Sequence, residues 1–472
     1  MHAEESVRAR LQAHAVRDDY IPKTDYTSRE FAALEKERLW PRVWQVACRV
    51  EELANPGDYL TYDIADDSFI VTRTAEGEIR AFHNVCLHRG RRLATGCGNT
   101  KLFTCRYHGW RWKTDGSLHS VVDRGDFAEC WGMKDSELSL GEVKVGLWGG
   151  FVFVNADPKA APLSEFLQPV PEYFDFIEME KMRFAWHKTM VANCNYKVAQ
   201  EAFQEGYHTA QAHPQLLPYQ DDQFLGYARG LHGNFDWSRS RPLGSPAGRT
   251  GLPVPSDLRP LAVKLLTETS KTVWSIFSER DRNAIQRLMT EAPQDATPAA
   301  IFEKLQQFMR EAAEASGAGW PKGITPQKVA ALGTDWSIFP NITLVPTPGC
   351  VLGYRARPYG DDPDWSLFES FSLERFAPGA EPPLRKEFYE DWTQHRDAFP
   401  PVLLQDFENF ADIQRGLKSH GFRGSRINPV QEKQIANIHR SLHTYLFGKQ
   451  ETRVEADSGT ERDRRRGERM PA

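Results

Sequence analysis

Two short cysteine–histidine segments constrain this chain more than any other feature of its sequence. The first is Cys86-x-His88 and the second is Cys105-x-x-His108, so each supplies one thiolate and one imidazole. Turn-forming residues near both segments indicate that each lies at the tip of a β-hairpin. Two such tips that face each other would bring four metal ligands together. The pattern therefore predicts a metal centre enclosed between two loops.

Three interpretations of this ligand set compete. A structural zinc site usually has paired thiolates two to four residues apart, whereas each segment here mixes one cysteine with one histidine. Unrelated buried cysteines beside ordinary histidines would not repeat the same chemistry twice. The third interpretation is a cluster of two irons and two sulfides, in which Cys86 and Cys105 hold one iron and His88 and His108 hold the other. Imidazole ligands raise the reduction potential of such a cluster, so it accepts electrons readily from a flavin or ferredoxin.

The overall composition excludes several other classes of protein. The chain has 472 residues with 59 Lys+Arg and 64 Asp+Glu, and this near balance argues against a nucleic-acid-binding surface. No run approaches the ~18 apolar residues that a membrane helix needs, and the first twenty residues lack an apolar signal-peptide stretch. Seven thinly spread cysteines favour reduced thiols or metal ligands over a disulfide framework. We expect a cytoplasmic protein without a membrane span.

The composition and the predicted secondary structure divide the chain into four regions. At roughly 100–200 residues per domain, the length is sufficient for at least two hydrophobic cores. A mostly helical N-terminal segment precedes a β-rich region with frequent turns, then a longer mixed region, and finally a charged tail that we expect to be disordered. The predicted boundaries are 1–43, 44–157, 158–448 and 449–472.

Helical periodicity and capping signals predict several elements of the mixed region. Thr297-Pro298 is typical of a helix start, and Gly317 is expected to end that helix. Further helices are predicted over 195–209, 401–417 and 430–447, and strands over 342–345 and 367–373.

A second set of potential metal ligands lies around residues 201–213. Glu201, Glu205 and His208 follow helical spacing, and groups of this kind are costly to bury without partners or a metal. His208 and His213 are five residues apart, which does not suit one regular helical face. They could converge only if the helix loosens or ends between them, as Pro214 encourages.

A carboxylate in a later helix completes this second set. Asp406 interrupts an apolar stripe in the 401–417 helix, whereas the neighbouring Glu408 and Asp412 fall off the stripe and are expected to be solvated. Two histidines and one carboxylate on one side of Fe(II) form the facial triad of non-haem oxygenases. His208, His213 and Asp406 fit that inventory. The apolar members of the stripe are Leu403, Phe410, Ile413 and Leu417.

Both sets of residues resemble one known family. Cys-x-His, sixteen residues, and Cys-x-x-His followed by Gly-Trp resemble the Rieske motif of ring-hydroxylating, non-haem iron oxygenases. Glu-x-x-x-Glu-x-Tyr-His-x₄-His with a distant Gln-Asp resembles the catalytic domain of their α subunits, and the similarity covers roughly residues 40–447. The resemblance implies an α+β chain in which residues 44–157 form an antiparallel β Rieske [2Fe-2S] domain. Residues 158–448 would form a helix-grip (START-like) catalytic domain, an antiparallel sheet wrapping a long helix, with residues 1–43 packed against it.

The resemblance also implies roles for individual residues. Cys86, His88, Cys105 and His108 would hold the [2Fe-2S] cluster. By position, His208, His213 and Asp406 correspond to the ligands of a mononuclear Fe(II), and Glu205 corresponds to an acidic residue that bridges the two metal sites. In relatives, the cluster and the mononuclear iron of a single chain lie too far apart for fast electron transfer. A head-to-tail trimer would place His108 of one subunit near Glu205 of the next, in a homotrimer or an α3β3 assembly with a β subunit.

The implied activity is that of a terminal oxygenase component. NAD(P)H-derived electrons would arrive through a separate reductase and in some systems a ferredoxin, because the chain has no Gly-x-Gly-x-x-Gly pattern between a strand and a helix. With O₂, the enzyme would hydroxylate a small apolar substrate, aromatic or polycyclic. Many ring-dihydroxylating members carry asparagine and aspartate where this chain has Ala202 and Glu205, which disfavours cis-dihydroxylation.

Other functions remain open from the sequence. Oxidative N- or O-demethylation by a monooxygenase uses the same metals. An electron-transfer protein without oxygenase activity and a zinc-stabilised interaction protein are alternatives of another class. The second set of ligands argues against the electron-transfer protein. Colour would exclude the zinc protein, because an aerobically purified Rieske protein is red-brown and a zinc protein is colourless. Substrate-determining residues are expected between 215 and 350.

Overall fold

The computed structural model describes residues 16–127 and 134–448. The predicted tail at 449–472, residues 1–15 and Cys130 lie outside the described residues. The first described elements are strand β1 (Tyr20–Pro22), two short helices and a π-helical turn, and β1 pairs antiparallel with a strand near the end of the chain. Ser28 caps the second helix by accepting a hydrogen bond from the Phe31 N–H. The helices and the turn are Thr24–Thr27, Arg29–Leu34 and Glu35–Leu39.

Ten strands between residues 45 and 155 of the described chain form two antiparallel sheets. The larger sheet has the order β2-β11-β10-β5-β4-β3-β6, and the smaller has the order β7-β8-β9. The loop after β5 and the loop after β7 carry the two cysteine–histidine segments. The strands are β2 Gln45–Arg49, β3 Asp58–Ile64, β4 Asp67–Arg73, β5 Ile79–His83, β6 Cys97–Asn99, β7 Leu102–Thr104, β8 Arg111–Lys113, β9 Leu118–Ser120, β10 Glu142–Trp148 and β11 Phe151–Asn155.

A second large sheet dominates the rest of the described chain. Its order is β13-β14-β15-β16-β17-β18-β12-β19, and every pairing is antiparallel except that of β12 with β19. Strands β17 and β18 are buried along most of their length because other elements cover both faces of the sheet. The strands are β12 Arg183–Ala192, β13 Leu225–Arg229, β14 His232–Asp236, β15 Thr334–Ile338, β16 Ile342–Pro346, β17 Cys350–Pro358, β18 Ser366–Glu374, β19 Lys386–Tyr389 and β20 Gly424–Arg426, which pairs with β1.

Helices pack around this sheet, and together with the two smaller sheets they confirm the predicted α+β architecture. Within the described ranges, no helix combines the length and apolar character needed to cross a membrane. The α-helices are Leu163–Phe166, Val170–Phe174, Tyr196–Glu201, Thr209–Ala212, Arg259–Val273, Glu279–Ile285, Leu288–Glu291, Pro298–Ala315, Pro326–Leu332, Pro401–Leu417 and Lys433–Phe447. Short 3₁₀ helices lie at Val50–Leu53, Asp135–Leu138, Asp175–Ile177, Met179–Lys181, Pro214–Leu216, Gly248–Thr250 and Trp392–Ala398.

Four helices form a unit that we call the helical wall: Arg259–Val273, Glu279–Ile285, Leu288–Glu291 and Pro298–Ala315. The longest begins where Thr297 accepts a hydrogen bond from the Ala300 N–H and ends shortly before Gly317, as its capping signals predict. The wall has its own hydrophobic cluster, which is separate from the cluster of the large sheet. The buried members of that cluster are Leu258, Ala262, Val263, Ala284, Ile285, Leu288, Ala292, Ile301, Leu305, Phe308 and Met309.

The helix predicted over 195–209 is wrong as a continuous element. The chain instead forms Tyr196–Glu201 and Thr209–Ala212, with a non-helical stretch between them. Gly206 lies in that stretch, where an added Cβ would come within 2.3 Å of the Phe224 ring. Because the first helix ends at Glu201, helical spacing no longer relates Glu201 to Glu205 and His208. Strand predictions at 342–345 and 367–373 and the helix prediction at 401–417 agree with the structure.

Candidate metal centres

The two cysteine–histidine loops have the same backbone closure. In each loop, the cysteine carbonyl accepts a hydrogen bond of 2.9 Å from the N–H of a glycine four residues later. These glycines, Gly90 and Gly109, have φ of 76° and 75°, a conformation that favours glycine. The N–H of each cysteine donates to the carbonyl five residues later, at 2.8 Å in both loops. The sequence therefore builds two matching tips, one around Cys86 and one around Cys105.

The four side chains of these tips converge. Cys86 and Cys105 are each 2% exposed and are free thiols. The ring centroids of His88 and His108 are 4.5 Å apart, and His88 stacks on Trp110. Among the described residues, the Nδ1 atoms of both histidines are buried without a hydrogen-bond partner. Two unpartnered imidazole nitrogens beside two thiols fit the ligand set of a Rieske cluster.

Backbone N–H groups stabilise negative charge on the sulfurs. Burial acts to raise the pKa of the Cys105 thiol, but hydrogen bonds from the N–H groups two and three residues later lower it below its usual value. Burial raises the pKa of Cys86, and the equivalent N–H groups of its own loop oppose that rise. N–H donors of this kind tune the reduction potential of an iron–sulfur cluster.

His208, His213 and Asp406 also converge, although they come from different elements. The short helix Thr209–Ala212 separates the two histidines, so its ends turn both rings to the same side. Their Nε2 atoms are 3.2 Å apart, and Asp406 Oδ1 lies 3.4 Å from His208 Nε2 and 3.2 Å from His213 Nε2. One ligand atom from each residue lies within 4.8 Å of the others.

Asp406 lies in the middle of the helix Pro401–Leu417 and is 5% exposed. Glu408 and Asp412 are exposed, as predicted for carboxylates off the apolar stripe. Ile413 was expected on that stripe but is 46% exposed, because the buried face of the helix continues through Gln414 and Leu417 instead.

Two acceptor groups orient the histidine rings. His208 Nδ1 lies 2.6 Å from Glu205 Oε1, and His213 Nδ1 lies 2.7 Å from Gln405 Oε1. Gln215 Nε2 donates to the same Gln405 oxygen, which identifies that atom as the amide carbonyl. Both Nδ1 atoms therefore donate, and both Nε2 atoms are left as metal ligands. The sequence analysis did not predict this role of Gln405, whose only signal was its position before Asp406.

Charge around His208 favours a cation in the space between the three side chains. Burial acts to lower the pKa of His208, but the carboxylates of Glu205 and Asp406 raise it to about 9. A divalent metal at Nε2 would replace that proton and satisfy the same carboxylates. The ligand chemistry of this set, two imidazoles and one carboxylate with open positions, fits non-haem iron.

A cavity of about 530 Å³ adjoins these three residues. Aromatic rings form much of its surface, including those of Phe203 and Tyr354, which stack at 4.1 Å. Three polar atoms on the cavity residues are buried and lack a hydrogen-bond partner in the described chain: Ser245 Oγ, Thr269 Oγ1 and Gln306 Oε1. The other Phe, Tyr and Trp rings that line the cavity belong to Tyr219, Phe224, Phe235, Trp237, Phe277 and Phe302.

Comparison with known proteins identifies the family. Residues 43–128 match the Rieske [2Fe-2S] domain, and residues 179–448 match the catalytic domain of the ring hydroxylating alpha subunit. The chain belongs to the ring-hydroxylating alpha subunit family. This Rieske oxygenase alpha subunit therefore combines a [2Fe-2S] domain with a catalytic domain for mononuclear iron, which confirms the predicted family and cofactors.

The curated relatives of this alpha subunit include carnitine and glycine betaine monooxygenase oxygenase subunits and a chlorobenzene dioxygenase alpha subunit from Cupriavidus. This chain is 33% identical over 200 residues to the carnitine monooxygenase oxygenase subunit of Acinetobacter pittii (41% of this chain, 52% of the relative). It is 34% identical over 205 residues to the glycine betaine monooxygenase oxygenase subunit of Chromohalobacter salexigens (42% and 44%). The matches thus span about half the length of these relatives.

A solved structure shows the same fold across most of the chain. It is a quaternary ammonium Rieske monooxygenase in complex with L-carnitine, with a TM-score of 0.60 and 19% identity, covering 91% of this chain and 96% of the other. The assignment of individual metal ligands and the domain boundaries remain predictions.

Proposed function

We propose that this alpha subunit is the terminal oxygenase of a multicomponent system, with its [2Fe-2S] cluster on Cys86, Cys105, His88 and His108. His208, His213 and Asp406 would hold the mononuclear Fe(II). When bound, this iron would supply the site at which O₂ is reduced by electrons from the cluster. The convergence of the three ligand atoms beside a cavity of about 530 Å³ is the observation that carries the proposal.

We infer that the substrate is a small quaternary ammonium compound, oxidised at a carbon attached to its nitrogen. This is the demethylation alternative rather than the apolar aromatic substrate expected from the sequence. The carnitine and glycine betaine monooxygenase relatives support it. The cavity supports it as well, because aromatic rings attract ammonium groups. Unpartnered polar atoms on Ser245, Thr269 and Gln306 suit a substrate with hydrogen-bonding groups, whereas a hydrocarbon would leave them unsatisfied.

The overall reaction balances with an external reductant. O₂, two electrons and two protons convert the C–H bond to C–OH and release one water. The resulting carbinol ammonium loses a proton as its C–N bond breaks, which gives an aldehyde and a tertiary amine. The electrons would come from NAD(P)H through a separate reductase, with or without a ferredoxin.

The side chains of this subunit have distinct tasks in that reaction. Glu205 and Gln405 hold the protons on the Nδ1 atoms, so the Nε2 atoms stay available to iron. The rings of Phe203 and Tyr354 form an apolar surface that excludes water and receives the alkyl groups of the cation. In a head-to-tail trimer, electrons would pass from His108 of one subunit to Glu205 of the next.

A substrate panel tests the proposal. The purified protein, supplied with NADH, a generic reductase, a ferredoxin and ¹⁸O₂, is incubated with carnitine, glycine betaine, choline, chlorobenzene and naphthalene. We expect a tertiary amine and an aldehyde from at least one ammonium compound. Products from the arenes alone, with ¹⁸O in the ring hydroxyl, would contradict the substrate class and leave the oxygenase assignment intact.

A further inference from the structure

Asp335 is a carboxylate in the cavity that the metal site does not use as a ligand. It lies in β15, lines the cavity and is close enough to the iron site for its charge to act on His208 and Tyr354. Thr334 Oγ1 donates to it at 2.7 Å. Among the described residues, no lysine or arginine forms an ion pair with it.

The backbone departs from a regular strand to give Asp335 this position. Asp335 has φ of 43°, a left-handed conformation that is uncommon outside glycine and easier for Asp and Asn than for most residues. The pairing with β14 shifts here, because Gly233 is opposite Ser337 while Phe235 is opposite Thr334. β15 thus contains one extra residue, a β-bulge, and bulges near active sites redirect side chains. Consecutive residues Thr334 and Asp335 consequently both line the cavity, which a regular strand would not allow.

A carboxylate held in such surroundings needs a positive partner. Burial raises the pKa of Asp335 to about 7, so its negative form is held at a cost. If the three candidate ligands hold a divalent iron, Asp406 and the nearby Glu205 would balance its charge. Arg241 also lines the cavity, but its guanidinium donates to the carbonyls of Pro246 and Leu252 and not to Asp335. When ionised, Asp335 therefore has no lysine or arginine partner among the described residues that line the cavity.

We propose that Asp335 is the counter-ion for a monocationic substrate and makes this cavity select a quaternary ammonium group over its neutral isostere. This inference rests on the proposed function and deepens it. Asp335 would attract the charge, while Phe203 and Tyr354, which line the cavity, would contact the alkyl groups. One carboxylate and one stacked aromatic pair would fix the ammonium end of the substrate beside the iron ligands.

Asp335→Asn is the decisive variant because asparagine has the same shape and tolerates the same backbone conformation. The probes are choline and 3,3-dimethyl-1-butanol, in which carbon replaces the charged nitrogen. Their Kd values are measured by calorimetry on metal-replete protein without reductant, and iron content is measured in parallel. Asp221→Asn serves as a carboxylate control in the same cavity, since its oxygens accept backbone hydrogen bonds from Arg241 and Gly248.

We expect the native protein to bind choline at least tenfold more tightly than the alcohol. In Asp335→Asn this ratio should fall to within about threefold, mainly through weaker choline binding, with full iron content. An unchanged ratio in Asp335→Asn would overturn the counter-ion role. Loss of mononuclear iron in that variant would also overturn it, because Asp335 would then act through the metal site.

The substrate panel separates failure of this inference from failure of the proposed function. Ammonium oxidation by the native enzyme together with an unchanged Kd ratio in Asp335→Asn rejects Asp335 and leaves the substrate class standing. Oxidation of arenes alone rejects both.

Discussion

At the level of single residues, the two histidines at the candidate iron site differ in the group that holds their Nδ1 proton. His208 donates to the carboxylate of Glu205, whereas His213 donates to the amide carbonyl of Gln405. A carboxylate partner makes an imidazole more basic than an amide does, so the two ligands are not equivalent. Glu205 therefore affects the electronic properties of the candidate iron site. This effect is separate from its proposed role in electron transfer between subunits.

Replacing Gln405 with leucine should weaken mononuclear iron binding by about 10- to 100-fold, since His213 loses the acceptor that fixes its tautomer. The measurement is iron content after dialysis against graded chelator. The visible spectrum of the [2Fe-2S] cluster should not change. Glu408→Gln, an exposed change on the same helix, is the control, and equal iron retention in both variants would contradict the role of Gln405.

His208→Ala should remove mononuclear iron while the cluster keeps its visible absorption and its paramagnetic signal after reduction. His108→Ala should give the reverse result, because the two ligand sets share no residue. Elemental analysis combined with visible spectroscopy checks both variants. Loss of both centres from either one would show that they are not independent.

The sequence predicts these candidate ligands because metal chemistry restricts the residue types and their spacing, and the structure brings their side chains together. The role of Gln405 could not, since nothing in its spacing indicates which side chain reaches His213. Asp335 was not predicted either. The direction of its side chain depends on an extra residue in β15. The alternating pattern that predicts strands does not show where such an extra residue lies.

At the level of elements, a buried ionic network joins the N-terminal helices to the last helix. Asp25 lies 2.8 Å from both His439 and His443, and His439 contacts Glu201 at 2.7 Å. Glu201 also accepts a hydrogen bond from Tyr26. Since Glu201 ends the helix that precedes the iron-ligand loop, the network fixes where that loop begins.

This network should make stability depend on pH. Burial acts to lower the pKa of His439, but hydrogen bonds to Asp25 and Glu201 raise it to about 9, above the ordinary value of 6.5. The protonated ring therefore stabilises the fold fully below about pH 6.5, and this contribution is lost as the pH rises through 9. We expect the free energy of unfolding to fall by on the order of 1 to 3 kcal/mol between these pH values, as measured by denaturant titration.

Asp25→Asn should lower the free energy of unfolding at pH 6.5 by about 3 to 5 kcal/mol, because it leaves buried charges without their partner. The decrease in stability from pH 6.5 to 9 should become smaller in this variant. Asp19→Asn removes an exposed carboxylate that pairs with Arg17 and should change stability little. A native-like pH profile in Asp25→Asn would exclude this network as the source of the effect.

Element prediction worked best where local signals agree. The 401–417 helix and the helix that starts at Thr297 have clear periodicity, the latter also has a capping threonine, and the bounds of both match closely. The predicted 195–209 helix is interrupted between Glu201 and Thr209, where Gly206 packs closely against Phe224, a contact that local sequence signals do not indicate. Sheet order also required contacts between distant segments, such as β12 with β18.

At the level of the whole molecule, the surface around the cluster loops is basic. Arg89, Arg91, Arg92 and Arg106 are exposed there, and Arg89 lies over the exposed ring of Tyr107. Exposed positive charge speeds association with acidic partners and is screened by salt. Such a surface suits contact with an acidic electron donor or with another subunit.

Coexpression of two inactive chains tests electron transfer between subunits. Cys86→Ser lacks a functional cluster, and His208→Ala lacks mononuclear iron. In randomly mixed head-to-tail trimers, roughly one quarter of donor–acceptor junctions would pair an intact cluster with an intact iron site. We expect turnover per iron-site pair near that fraction of the native value in the mixture and none in either parent. No activity in verified mixed assemblies would contradict transfer between chains.

The separate hydrophobic cluster of the helical wall has an evolutionary consequence. Leu305 and Met309 belong to that cluster and also border the cavity, whereas the iron-ligand candidates lie on other elements. Mutations in the helical wall can thus change the substrate range of an enzyme without altering its candidate iron ligands. Duplicated genes can therefore acquire new substrates by changing the helical wall alone. Chimaeras in which the helical wall is replaced by that of a relative should fold and keep their iron ligands.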